Sequence, residues 1–413
     1  MSNTDNYEPP KNGWRTFLIL WVSQSISVFG SALTFFGLNI YLVLGLYPRN
    51  DQKPELAFAL SAGALAFALG NVFSAPIAGA WADRHDRKRT MMVADLLNGC
   101  LSFVAATLMA TGQLQLWMIV VFQGLVAVLF SFHYSAFDSS YAMIVPEKQL
   151  PRANGMMQTI FALSGIIAPG IAAGIIALPE IARQGSITGA LGEWLRPLTN
   201  GAPLALYVDA TTFFLAAGIL PFLFVPSPKR TDLGGEDGKA KKSMWADIKE
   251  GGMYIWNRRP LLWLLGSFTV INFITSPLGI FGPLLLRFNL QPDWSSMGFT
   301  YETALALINS AGAVGGLIGG LVITSWGGLK RRRVYGVIVP MLLVGLALIG
   351  FGLSPYLYLT AAMVLILDAM TPAMNAHSQT IWQTQTPKEL QGRVFSVRRL
   401  IAQFTWPVGT LIT

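Results

Sequence analysis

The sequence predicts an all-α membrane protein made of two parallel six-helix repeats, the second incomplete. Three observations predict it: apolar blocks long enough to cross a bilayer, Lys and Arg gathered on one side, and a constant offset that superposes landmarks of the two halves. Of 413 residues, 53% are hydrophobic and 12% charged, against roughly 25% charged in an average soluble domain. That balance excludes a water-soluble fold.

The blocks Phe17–Leu46, Leu56–Ala80 and Val334–Leu353 are near or above the ~20 residues that span ~30 Å of hydrocarbon. Hydropathy places helices near 17–46, 56–80, 91–111, 115–143, 155–178, 203–225, 261–286, 301–326, 334–353 and 356–383, and an eleventh begins near 396. The first block runs too long for a removable signal peptide and lacks a small-residue cleavage site. The lone Cys100 makes no disulfide framework.

Orientation follows from charge. With the amino terminus inside, the cytoplasmic segments hold Lys11, Arg15, Arg84, Arg87, Lys88, Arg89, Lys148, Arg152, the Lys/Arg-rich stretch 229–259, the run 330–333, Lys388, Arg393, Arg398 and Arg399. Of the 29 Lys and Arg, the exterior keeps only Arg49, Lys53, Arg183, Arg196 and Arg287. The positive-inside rule accounts for that asymmetry and for the net charge of +8, so no nucleic acid partner is expected. The organisation is then a cytoplasmic N-terminus (1–16), a first bundle (17–225), a charged cytoplasmic linker (226–260) and a second bundle (261–413), in an inner (plasma) membrane of bacterial type. Within the linker, 243–255 has the pattern of a short amphipathic surface helix with Met244, Trp245, Ile248 and Tyr254 on its apolar side, or of a plain solvated segment.

An offset of 241 positions brings Gly79 onto Gly320, Arg89 onto Lys330, Pro146 onto Pro387 and Arg152 onto Arg393. Parallel repeats about an axis normal to the membrane are the implied architecture. The same offset sends helix five to 396–419 and helix six to 444–466, past Thr413. Helix eleven is therefore expected to be cut short and helix twelve absent.

Gly79-Ala-Trp-Ala-Asp83-Arg84-His85-Asp86-Arg87-Lys88-Arg89, between helices two and three, resembles the major facilitator signature Gly-x-x-x-Asp-Arg-x-Gly-Arg-Arg/Lys-x. Asp86 stands where that family usually has Gly, a variant similar to the macrolide-efflux and siderophore-exporter branch. The likeness extends through Leu20–Ser27 and Tyr207-Val208-Asp209-Ala210 and loosely covers the chain. It implies a gating role for Gly79, Asp83, Arg84, Arg87, Lys88 and Arg89. The Asp83 carboxylate would accept backbone hydrogen bonds at the N-terminus of helix eleven and complement its dipole. Helix five contains Gly165, Pro169, Gly170 and Gly174, similar to the antiporter motif of the family but with Ala168, Ala172 and Ala173 at or near glycine positions. Small residues there are expected to admit a close partner helix.

The resemblance also implies a central cavity between helices one, four, seven and ten. Polar candidates on those helices are Gln24 and Asn39, His133 and Asp138, Asn272, and Asp368, Asn375 and His377. An acid inside a span costs ~2.5–3.5 kcal/mol on insertion scales and is a functional candidate by default. Asp368, near mid-span, is the first choice for a coupling proton, although helix four lacks the Arg that many proton antiporters of the family carry. No phosphate-binding loop, metal-ligand set or nucleophile constellation is visible. The expected function is secondary export of a small amphipathic molecule, without enzymatic activity or cofactor, by a monomer in contact with lipid. A lipid or lysolipid flippase and a non-transporting sensor or scaffold are the alternatives.

Overall fold

The computed structural model describes residues 10–198, 201–226, 244–278, 281–282, 285–299 and 301–411. Residues 1–9 of the expected N-terminal segment, 227–243 of the linker and the side chains of Lys53, Met244 and Arg287 lie outside that description. The described residues form helices and connecting turns, with no strand. In chain order these are α1 (Gly13–Tyr41), α2 (Lys53–Ala82), α3 (Arg87–Ala110), α4 (Leu116–Ile144), α5 (Leu150–Arg183), the short α6 (Gly189–Leu195), α7 (Ala202–Ile219), α8 (Met244–Asn257), α9 (Arg259–Thr275), the short α10 (Gln291–Ser296), α11 (Tyr301–Trp326), α12 (Tyr335–Leu353), α13 (Leu357–Gln385) and α14 (Gln391–Leu411).

Nine of them are long and apolar enough to cross a membrane, and α9 is a shorter apolar helix. The protein is a multi-pass membrane protein. Helix α5 runs well past the expected 155–178, because Leu150 and Arg183 continue the turns at its two ends. Helix α14 begins at Gln391, ahead of the expected 396, and holds Arg398 and Arg399. The Arg398 guanidinium lies over the Trp382 ring, 5.3 Å from its centroid, so an aromatic face stabilises a cation within a helix.

Local chemistry sets the helix ends. Pro stands in the first turn of α2, α7 and α9, where its missing N–H costs nothing. Asp86 caps α3: its extended backbone (φ −62°, ψ 115°) lets the carboxylate accept from the Arg89 N–H at 2.8 Å. Gly327 and Gly328 follow α11 with φ of 80° and 70°, a left-handed backbone suited to glycine.

The chain forms two compact units, one of Pro10–Ile144 and Ser164–Ile248, the other including Val145–Leu163 and Lys249 onward. In the first, α2 packs on α4, α3 on α4 and α7, and α1 on α7. In the second, α11 and α12 both pack on α13, and α14 packs on α9. The backbone repeats locally at the predicted offset. Pro146 (φ −56°, ψ 140°) opens the 3-10 turn Glu147–Gln149 before α5, and Pro387 (φ −52°, ψ 143°) opens Lys388–Leu390 before α14.

Candidate functional site

The loop between α2 and α3 is organised around a buried arginine. Arg87 is fully buried and its guanidinium donates to Ala82 O at 3.2 Å, Ser139 O at 3.0 Å and the Met143 sulfur at 3.1 Å. Its remaining amino group meets Asp83 Oδ1 at 3.3 Å. Helix α2 ends at Ala82 and Asp86 caps α3, so one planar fork ties the end of α2, the start of α3 and the last turns of α4. Gly79 is buried in the last turn of α2 and its carbonyl accepts the Asp83 N–H.

The other basic residues divide the remaining work. Arg84 reaches Asp247 on α8, with Nε and Nη2 each 2.6 Å from the same carboxylate oxygen. Lys88 donates to the carbonyls of Pro221 and Leu223 beyond the end of α7, where a cation complements unsatisfied acceptors. The Arg89 side chain is exposed, and its backbone N–H receives the cap. Within the linker the expected segment is helical: Ile248 and Tyr254 are half-buried, Trp245 is 72% exposed and Asp247 is fully buried, because Arg84 supplies the partner that lets the acid turn inward.

In the second unit, the first turns of α5 pack on α11 and α13. Asn154 Nδ2 donates to Thr380 Oγ1 at 2.9 Å and Gln383 Oε1 at 3.0 Å. Added carbon at Gly155 or Gly320 would run into Ile323 or Thr159, so these two glycines set the approach of α5 to α11. Arg393 pairs with Glu250 on α8 at 2.8 Å, and Arg333 with Glu147 at 3.1 Å.

The intramembrane acids differ in how they are held. Asp209 on α7 accepts from Thr34 at 2.7 Å, Ser102 at 2.9 Å and Ser31 at 3.4 Å, a satisfied hub joining α1, α3 and α7. Gly30 makes room for it, since a Cβ there would overlap Thr212 and the Asp209 carboxylate. Asp368 on α13 is half-buried. Its Oδ2 occupies the space a Cβ would take at Gly312 on α11, and it has no hydrogen bond among the described residues. Asp138 is buried on α4. His133 on the same helix points Nε2 at Asp95 Oδ1 on α3, 3.3 Å away.

The remaining polar candidates are placed as follows within their own units. Asn39 donates back to Phe35 of its own helix, and Asn272 to Ala402 O, joining α9 to α14. Asn375 is half-buried and Gln24 buried. His377 has both ring nitrogens engaged, Nδ1 with Ala373 O at 2.7 Å and Nε2 with the Leu329 N–H at 2.9 Å. The ring fills the space beside Gly328 and Gly336 and pins the loop after α11. A Cβ at Gly165, Gly170 or Gly174 would meet nothing within 4 Å, and these three glycines are exposed. Ala168 and Ala172 are fully buried in the core of the first unit, so alanines make the close contact. Helix α5 continues through Pro169.

Residues 20–410 match the family described as Major Facilitator Superfamily. The chain belongs to the major facilitator superfamily. It is similar to macrolide efflux protein A of Streptococcus pyogenes, 23% identical over 97% of this chain and 89% of that one. The protein of the same name from Enterococcus faecalis is 25% identical over 86% and 99%, and multidrug efflux pump Tap of Mycolicibacterium fortuitum is 24% identical over 88% and 81%. The solved structure of a bacterial homologue of the iron transporter ferroportin shares the fold, with a TM-score of 0.63 at 17% identity over 96% of this chain and 90% of that one. The Escherichia coli fucose:proton symporter gives 0.66 at 13% over 97% and 92%.

As a member of the major facilitator superfamily the chain is a membrane transporter and not an enzyme. The acid that the resemblance did not flag is Asp95, 1% exposed and nine residues into α3. A charged residue that deep in an apolar block is itself the signal.

Proposed function

We propose that this transporter exports a small amphipathic molecule, a drug-like compound or siderophore, from the cytoplasm by alternating access coupled to proton entry. The observation that carries the reading is the near full-length similarity to proteins named for macrolide and multidrug efflux. The geometry adds support. The two repeats rock against each other to alternate access, with the amino terminus and the α2–α3 loop on the cytoplasmic side of a bacterial plasma membrane. Asp83, set at the membrane surface by Arg87, meets the opposite repeat when that side is closed and releases it when it opens. Asp368, held against Gly312 without a hydrogen bond, carries a proton in the second bundle.

The test is accumulation of fluorescent amphipathic compounds in energised inverted vesicles, with the chain compared against Asp83→Asn and Asp368→Asn. Accumulation that collapses with the proton gradient and in Asp368→Asn supports the reading. Accumulation that persists after the gradient is removed overturns the coupling, and transport of a lipid in place of the aqueous compounds turns the assignment to a flippase.

A further inference from the structure

Among the buried acids of the first unit, Asp95 differs from Asp209 in one respect. Asp209 receives three hydroxyl donors, whereas neither Asp95 oxygen makes a hydrogen bond among the described residues. Its nearest polar partner is His133 Nε2, 3.3 Å away across α3 and α4 and itself without a hydrogen bond. Both side chains are well buried, at 1% and 14% exposure. A carboxylate this dry is costly alone, and an adjacent imidazolium offsets the cost only while the ring is protonated.

Asp95 lies ~12 Å along α3 from its first residue and His133 ~17 Å from the last residue of α4. Asn98 Oδ1, one turn beyond Asp95 on α3, and Trp21 Nε1 and Gln24 Nε2 on α1 are likewise buried without hydrogen bonds among the described residues. Buried polar groups of this kind are where a protein interior holds water. Toward the end of α4, His133 continues an aromatic series through Phe137, Tyr141 and Phe17.

Other charges on the packed elements are committed or distant. Helix α2 has no acid or base between Glu55 and Asp83, and α1 carries only Arg15 and Tyr41. On α7, Asp209 is held by its three hydroxyls and Tyr207 meets Thr107. On α3 itself, Arg87 is bound to Asp83, Lys88 to the end of α7 and Arg89 is exposed. On α4, Tyr134, Asp138 and Tyr141 remain as neighbours.

We propose that Asp95 and His133 form a second proton-carrying site, in the first bundle, that loads from the exterior and discharges to the cytoplasm in each export cycle. Loading forms one N–H bond on the His133 ring and takes the pair from one negative charge to neutral. Discharge breaks that bond and restores the negative charge. The proton gradient supplies and removes the proton, so no other reactant is needed. The assignment rests on the proton-coupled reading above.

The experiment uses the full chain in proteoliposomes with a fluorescent amphipathic cation, and measures both gradient-driven accumulation and gradient-free counterflow. In Asp95→Asn and His133→Gln, accumulation falls at least about tenfold while counterflow stays within about twofold, the pattern expected when coupling and not the substrate path is lost. Accumulation at the unaltered level in both variants overturns the pair and leaves the export reading standing. An unaltered chain with counterflow but no gradient-driven accumulation overturns the coupling and the pair together, and one with neither flux overturns the export reading as well. Should a variant lose counterflow too, histidine ring infrared bands of the unaltered chain decide: a change in ring protonation on adding the cation supports the site, and constant bands overturn it.

Discussion

Arg84 and Asp247 are joined by two contacts of 2.6 Å to one carboxylate oxygen, and the acid is fully buried. Removing one partner of a buried pair costs about 3–5 kcal/mol because the other is left charged and dry. Arg84→Ala is therefore expected to loosen α8, measured as faster proteolysis next to Trp245. Adding Asp247→Asn removes the stranded charge and restores resistance, a coupling that a double-mutant cycle reads directly.

Gly312→Ala places a methyl group where the Asp368 carboxylate now lies. The side chain must turn away, so gradient-driven accumulation falls while expression and thermal stability change by less than about 1 kcal/mol. Equal loss of stability and transport would show that the glycine serves packing alone.

Asn154→Ala removes the donor to Thr380 and strands the Gln383 amide oxygen in the buried contact between α5 and α13, while Thr380 keeps its bond to Ala376 O. An unsatisfied buried polar group costs about 1–3 kcal/mol. The expected outcome is a lower melting temperature in detergent, together with increased labelling by a thiol reagent of a cysteine placed at Thr380.

Open space beside Gly165, Gly170 and Gly174 makes a different forecast. Alanine at any of them changes stability by no more than about 0.5 kcal/mol. If the glycine face closes on a partner during the cycle, Gly170→Leu abolishes transport with the fold intact. Full activity in Gly170→Leu would show that the face stays open throughout.

Tyr254 donates its hydroxyl to Gln385 O. Burial pushes its phenol above the usual tyrosine range, and the nearby Arg258 opposes the shift. A raised pKa means that the folded state holds the proton more tightly, so the stabilisation is complete below the unfolded value and is lost as pH rises through the folded one. Docking of α8 should weaken in strong alkali, and Tyr254→Phe should remove that dependence.

The spans were legible because lipid imposes composition: a helix that faces hydrocarbon must be apolar over its length, and that shows in one dimension. The site was legible only where one loop contains it. Asp83 and Arg87 lie a helical turn apart, whereas Asn154 and Gln383 are distant in the chain and nothing local joins them. His377 shares a helix with Asp368, yet spacing along a helix does not reveal what its neighbours offer, and here Leu329 offers an N–H. The glycines of α5 follow a motif, but a motif does not say which face the neighbour occupies. Asp247 read as a solvated linker charge because its partner, Arg84, is four spans away.

Pro146 and Pro387 open turns with nearly superimposable backbone angles, and each turn delivers the chain into the first residues of a long helix. The two corners are thus interchangeable parts. Segment 146–152 transplanted onto 387–393 keeps the course of the main chain and alters only the side chains it presents, so the chemistry of each corner can be separated from its geometry in a single chimaera.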